Sequence, residues 1–240
     1  MSNYIYKDRM LEIIDQVFEV NADKIETAVD RFVETIINDK IIHAFGTGHS
    51  LMIGLEMFDR ASGLANVEAM VDPDCTMNFG TLRSGRIERV EGLADIIYDN
   101  YLIDKGDIMI ISSNSGRNAV PIEMAMRCKK EGIYTIAVTS LRQSQNMKSR
   151  HSSGRKLYEI CDLVLDNCAP DGDGCLITDG VVNGSVSSVS GMMLMNTIVT
   201  EAIKRCVDRG YKPYIYNSGN VDWADNTATY LHFKGRIRDL

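Results

Sequence analysis

The chain has 240 residues, of which 33 are acidic and 26 basic, giving a formal net charge of −7 at pH 7. That balance leaves no basic footprint for nucleic acid, so any anionic ligand must depend on local donors. Hydrophobic residues make up 45% of the chain, enough to bury one full core. The longest uncharged stretch, Gly180 to Thr200, holds too many Ser, Asn, Thr and Gly residues for a membrane span.

From Tyr4 to Asn38 the apolar residues follow helical spacing with a break near Asn21, which predicts two helices in an extension covering residues 1–38. The first is placed to pack on a partner subunit and the second to cover the sheet. Residues 39–210 then alternate between strand and helix patterns. Strands are expected at Ile41–Phe45, Ala65–Met70, Ile108–Ile111, Tyr134–Val138 and Leu163–Leu165, and helices at Leu51–Ala61, Ile87–Asn100, Val120–Lys130 and Val189–Arg209. This order predicts a doubly wound α/β domain with a parallel sheet. Two long polar segments, Asp72–Gly85 and Ser140–Arg155, are either substrate loops or ordinary surface connections. The tail, residues 211–240, either crosses a dimer interface or completes the monomer's own core around Tyr216 and Trp223.

The six cysteines form no CxxC pair, and the amino terminus is charged, so a reducing cytoplasm is expected. Cys161, Cys168 and Cys175 recur every seven residues. The first is expected in a strand and the others in a Gly/Asp-rich connection, a poor arrangement for zinc.

Two strand-to-helix junctions carry the chemistry. In one, Ile108-Met109-Ile110-Ile111 runs into Ser112-Ser113-Asn114-Ser115-Gly116-Arg117-Asn118 and then a helix. Such a turn presents hydroxyls and free amides at the positive end of a helix, which suits a dianionic phosphoryl group. Ser112, Ser113, Ser115 and Asn118 supply side-chain donors, and the backbone around Asn114-Ser115-Gly116 can form an anion nest. Arg117 either adds charge at the rim or is solvated. In the other junction, Gly46-Thr47-Gly48-His49-Ser50 follows Ile41–Phe45; Gly46 and Gly48 permit a tight turn and close backbone approach. Both junctions belong at the carboxyl edge of a parallel sheet, where such folds bind ligands.

The Ser-Ser-Asn-Ser-Gly unit at 112–116, continuing through Glu123 and Ala125 to Gly132-Ile133-Tyr134-Thr135-Ile136-Ala137-Val138-Thr139, resembles sugar isomerase (SIS) domains. So do Gly46–Ser50 and the late Ser185–Ser190 with Met195-Asn196. The runs 58–65 and 154–162 are similar to a single-domain phosphosugar-binding group, the UPF0309-like proteins. The resemblance covers about residues 20–210. It implies a three-layer sandwich with a five-stranded parallel sheet of flavodoxin-like topology, a homodimer or higher homo-oligomer, and a phosphorylated sugar as ligand. It calls for no metal, nicotinamide or other cofactor. The glycine-rich turn of phosphoheptose isomerases is interrupted here by Thr47 and His49, and the muramic-acid etherase signature is absent.

Within that resemblance, Thr47 and Ser50 are expected to bind sugar hydroxyls or complete the phosphate shell. Ser187, Ser188 and Ser190 either join them or cap the following helix. Aldose–ketose interconversion through an enediol needs a base that moves a proton between adjacent carbons and an acid that protects the oxyanion. Glu56 is the leading carboxylate, ahead of Glu68 and Glu123, and His49 or His151 would assist proton transfer. His43 lies in an apolar strand as a core histidine, and His232 has no assignable role. Elimination or deamination of an amino sugar phosphate is the enzymatic alternative; a non-catalytic phosphosugar-sensing module is the other.

Overall fold

A computed structural model describes residues 4–240; the first three positions of the 1–38 extension lie outside the described residues. Two helices open the chain, α1 (Ile5–Val20) and α2 (Ala22–Ile37). Their buried residues, Met10, Ile13 and Val17, then Ile25, Val29, Phe32, Val33 and Ile36, fall at the three- and four-residue spacing of one helix face. Asn21 occupies the break between them. Its side-chain amide donates to the carbonyls of Val17 and Asp166, and its Oδ1 accepts from the Asp166 amide, so the break is bonded to the sheet.

Next come β1 (Ile42–Gly46), α3 (Leu51–Met57), β2 (Val67–Met70), α4 (Thr81–Ile87), α5 (Leu93–Tyr98), β3 (Ile108–Ser112) and α6 (Ala119–Glu131). The chain continues through β4 (Tyr134–Thr139), α7 (Leu141–Asn146), β5 (Leu163–Asp166), β6 (Gly174–Thr178), β7 (Val181–Ser185), α8 (Ser187–Asp208) and α9 (Thr227–Phe233). Strands β1 to β5 form one parallel sheet in the order β2-β1-β3-β4-β5, the expected flavodoxin-like topology.

Alternate strand residues face opposite layers. Ile42, Ala44, Ile108, Ile110, Ile136 and Val138 pack with residues of α1, α2, α3 and α8, whereas Phe45, Met109, Ile111 and Ala137 pack with residues of α5 and α6. Burial on both faces explains why these strands read as near-continuous apolar runs. The tail adds a small cluster in which Tyr216, Phe233 and Ile237 pack on Ile41 and Ala65; Tyr216 is thus buried while Trp223 stays exposed.

Three expectations are corrected. The helix expected to reach Ala61 stops at Met57, where Phe58 turns extended and Asp59 takes a positive φ of 44°. The helix expected over 87–100 is confined to α5, Leu93–Tyr98: Ile87 instead ends α4, and Gly92, whose φ of 87° no helix interior accommodates, caps the start of α5. The connection holding Cys175 contains the antiparallel hairpin β6–β7, closed by Asp179-Gly180 with φ of 45° and 79°. Such positive angles at both central residues match a two-residue hairpin turn. The hairpin is largely exposed, so it lacks the apolar pattern that marks buried strands.

All six cysteines are free, and burial pushes the thiols of Cys75, Cys161 and Cys168 up to about 12. Cys161 lies just before β5 rather than inside a strand. Cys161, Cys168 and Cys175 form no metal-spaced group among the described residues. No described helix is long and apolar enough to cross a membrane.

Candidate functional site

Strands β1 and β3 are adjacent and parallel, and Gly46 lies in register with Ser112. The two sequence-identified turns therefore leave the sheet side by side, at the point where the strand order reverses. Gly46 is required by the tightness of its turn: a Cβ there would sit 2.7 Å from the carbonyl carbon and oxygen of Ser50. Gly48 begins a short 3₁₀ turn through His49 to Ser50, with φ of 56°. In the second turn Gly116 has φ of 57° and only 3.0 Å between a would-be Cβ and Ser144 Oγ.

A narrow cleft of only about 10 Å³ lies between the turns, lined by Ser50, Ile53, Asn114, Val138, Asn167, Ser187 and Ser188. Ser50, Asn114, Ser187 and Ser188 come from three separate sequence segments, and the fold brings them together. Asn167 was not anticipated. It follows β5, its Nδ2 donates to Asn114 Oδ1 at 3.0 Å, and its Oδ1 accepts from the Ala169 amide. Asn114 Nδ2 in turn donates to Gln143 Oε1 at 2.7 Å, so the amide facing the cleft is held from two sides. A polar residue directly beyond the last buried strand was the available signal for Asn167.

Ser190 supports this wall from behind: it is buried and its hydroxyl donates to the Asn167 carbonyl at 2.9 Å. Ser112 and Ser113 are buried too, and Ser113 Oγ accepts from the Gly116 amide at 3.2 Å. Ser115 is half-buried. Among the described residues the amides of Asn114, Ser115, Arg117, Asn118 and Ala119 have no hydrogen-bond partner. Unpaired amides in consecutive turn positions at the start of a helix are the physical requirement for holding an anion.

The opposite side of the second turn is charged. Thr47 Oγ1 donates to Glu88 Oε2 at 2.9 Å, and the Glu88 carbonyl accepts from the Val120 amide in the first turn of α6. Asn118 Oδ1 accepts from Arg150 Nη1 at 3.1 Å. The His49 ring is exposed with no hydrogen bond among the described residues, whereas the His151 side chain is almost buried. His151 Nε2 lies 3.3 Å from Glu123 Oε1 and 4.0 Å from Glu91 Oε2, and its Nδ1 lies 2.7 Å from Ser153 Oγ. Hydrogen bonds from Ser152 to both Glu91 oxygens hold that carboxyl below its ordinary value. Glu91, Glu123 and His151 each place one ligand atom within 4.8 Å of the others, a spacing compatible with a divalent cation that no sequence motif announced. Each group is also hydrogen-bonded within the protein.

Glu56 lies in the second turn of α3. Its Oε1 accepts from Asn196 Nδ2 on α8 at 3.1 Å and lies 3.4 Å from Arg60 Nε, which leaves Oε2 unengaged. By helical rise it is roughly 9 Å along α3 from Ser50. Glu68 is committed elsewhere: its Oε2 lies 2.8 Å from Nδ1 of the buried His43, and its Oε1 accepts from the Arg238 amide at 2.6 Å. The His43 pair is close but poorly aligned for a hydrogen bond. His43 Nε2 reaches Asp107 Oδ2 at 3.2 Å, so two carboxylates flank one core imidazole.

Residues 5–140 match the SIS domain. The UPF0309 protein TTE0306 of Caldanaerobacter subterraneus is 34% identical, over 98% of this chain and 99% of its own. The structure of phosphoheptose isomerase GmhA from Neisseria gonorrhoeae aligns with a TM-score of 0.57 at 14% identity, covering 83% of this chain and 96% of that one. The Vibrio vulnificus NanR protein complexed with ManNAc-6P aligns with a TM-score of 0.54 at 13% identity, over 86% of this chain and 63% of NanR. Both structural likenesses concern the fold. With the matched domain covering more than half of the chain and a full-length relative above 30% identity, this protein belongs to the SIS-domain family, among the UPF0309 proteins.

Proposed function

We propose that this protein binds a phosphorylated sugar at the carboxyl edge between β1 and β3 and interconverts its aldose and ketose forms. The observation that carries this reading is the Gly46–Ser112 register, which sets the hydroxyl-rich turn with its unpaired amides beside the Gly46–Ser50 turn. Phosphate takes the amides of Asn114 and Ser115 with the hydroxyls of Ser115, Ser187 and Ser188; the sugar runs past Thr47 and Ser50 along α3. The cleft of about 10 Å³ is far smaller than ordinary ligand pockets of about 300 Å³ or more, so α8 and the second turn part as ligand enters. The fold shared with a phosphoheptose isomerase and with a protein complexed with ManNAc-6P supports the ligand class.

Glu56 Oε2 is the proposed base, positioned by the Asn196 bond to the other oxygen. Exposed His49 in the first turn is the nearer candidate for proton transfer to the sugar oxygens, because the ring nitrogens of His151 are already directed at Glu123 and Ser153. Met52 and Leu55 on α3 and Val189 and Met193 on α8 are exposed apolar side chains on the same two helices as Glu56 and Asn196. A second copy of the chain covering them would remove water from around the carboxylate, which supports a homodimer.

Purified protein incubated with a panel of phosphosugars in deuterated water tests the reading. Isomerisation yields a new sugar phosphate, elimination yields lactate or ammonia, and a sensing module binds without turnover. Product identity decides, because rapid internal proton transfer hides deuterium uptake.

A further inference from the structure

Three arginines converge on the α6 side of the second turn without a matching set of acids. Arg150 is carried there by the segment after α7. Its amide donates to the Arg117 carbonyl at 2.8 Å, and its guanidinium donates to Asn118 Oδ1 at 3.1 Å. Arg117 is half-buried, with its Nη1 against the Met147 thioether, a weak acceptor, and its Nε buried without any partner. Arg89 follows Glu88 directly in sequence. None of the three makes an ion pair among the described residues, although Arg31, Arg83, Arg127 and Arg205 all do.

The charges felt by Arg150 show the imbalance. Burial first, then Arg117 and Arg89, hold its guanidinium below the ordinary arginine value, and Glu88 alone opposes them. Arg150 thus feels two neighbouring cations and one carboxylate, in a chain whose net charge is −7. Glu88 is moreover engaged by Thr47. The acids farther out, Glu91 and Glu123, are occupied by Ser152, Gly92 and His151. A buried guanidinium nitrogen with no acceptor costs free energy unless something arrives to accept from it.

None of these arginines lines the cleft of Ser50, Asn114, Asn167, Ser187 and Ser188 on the other side of the second turn, whose lining carries no charged side chain. The turn therefore offers anion-binding groups on two sides. We propose that Arg89, Arg117 and Arg150 form a second anion subsite, so that the ligand is a phosphosugar bearing a further carboxylate or phosphate. The planar guanidinium matches either group with paired N–H donors. The inference rests on the phosphosugar reading of the hydroxyl turn and names the substrate class within it.

Calorimetry with three probes tests it: glucose 6-phosphate, which has one anionic group, and 6-phosphogluconate and fructose 1,6-bisphosphate, which have two. The two-anion probes are expected to bind at least about tenfold more tightly to the wild-type protein. In Arg150→Gln and Arg117→Gln they should fall to the affinity of glucose 6-phosphate, whereas Ser115→Ala should weaken all three. Equal wild-type affinities overturn the second subsite alone, as does an Arg150→Gln loss of the same factor for glucose 6-phosphate, which assigns the arginines to the single phosphate. If none of the three binds the wild-type protein, the phosphosugar reading falls and the subsite with it. Arg150 is exposed, so its substitution leaves the fold intact, and a circular dichroism melt confirms that.

Discussion

Asn196 on α8 donates a hydrogen bond to Glu56 on α3 across 140 residues of sequence, fixing one carboxylate oxygen at 3.1 Å and leaving the other open. The bond makes the leading candidate carboxylate of the sequence an oriented group, on helices that carry exposed apolar side chains. Arg60, one turn farther on, shares the same oxygen at 3.4 Å. Glu56→Gln keeps the shape and the contact with Asn196 but removes the proton acceptor. In coupled assays of sugar isomerisation it should lower turnover by about 10²-fold or more while phosphosugar affinity stays near the wild-type value. Full turnover in this variant would remove Glu56 from the base role.

The hydroxyl turn is checked by affinity. Replacing Ser113 and Ser115 together with alanine removes one hydroxyl that braces the Gly116 amide and one that is free for ligand. Phosphosugar binding measured by calorimetry should weaken by about 1–3 kcal/mol. An unchanged dissociation constant would place the phosphate elsewhere.

Gly116→Ala addresses the shape of the same turn. The substitution puts a side chain at φ of 57° and a Cβ 3.0 Å from Ser144 Oγ. The left-handed conformation alone costs about 1–2 kcal/mol for a residue with a Cβ, and the contact adds to it. Thermal melting should show a drop in Tm together with weaker phosphosugar binding, since the amides on either side of Gly116 move with it.

The His43 triad sets a pH dependence of stability. Burial lowers the His43 value, but the bond to Asp107 and the adjacent Glu68 carboxylate outweigh that and leave it raised; burial raises the Asp107 value, but His43 and the amides of Ile41 and Asp104 leave it lowered. The sign follows for each group. His43 contributes stability that is complete below its unfolded value of about 6.5 and is lost as pH rises through the higher folded value. Asp107 contributes stability present above about 3.9 and lost as pH falls through its lower folded value. Chemical denaturation of the wild-type protein should therefore show declining stability on both flanks. His43→Ala leaves two buried carboxylates facing each other and should cost about 3–5 kcal/mol near neutral pH, with the deficit shrinking on the alkaline side. A constant deficit from pH 6 to 10 would contradict the charged form of the imidazole.

His151 holds the segment after α7 against α6 through Glu123. His151→Gln should raise hydrogen exchange in residues 149–155 and leave the sheet protected. Unchanged exchange there would mean that the Glu91 bonds to Ser152 suffice.

The parallel sheet and the two turns at its carboxyl edge were legible in the sequence for a local reason. Buried parallel strands read as apolar runs such as Ile108–Ile111, and the residues that leave them, Gly46–Ser50 and Ser112–Asn118, carry their turn chemistry in their own types. The two corrections around Gly92 and Asp179-Gly180 were also local, and glycine marked both places. What the chain alone could not decide was partnership. Whether Glu56 meets Asn196, whether Glu68 is spent on His43, and whether Asn167 joins Asn114 depend on contacts across tens to hundreds of residues. The same holds for charge: the sequence leaves Arg117 either a rim cation or a solvated side chain, and only the fold sets it and Arg89 close enough to Arg150 to act on its charge. Side-chain type and local pattern determine which groups are available, and only the packing of the layers decides which of them face one another, because those distances belong to the tertiary fold.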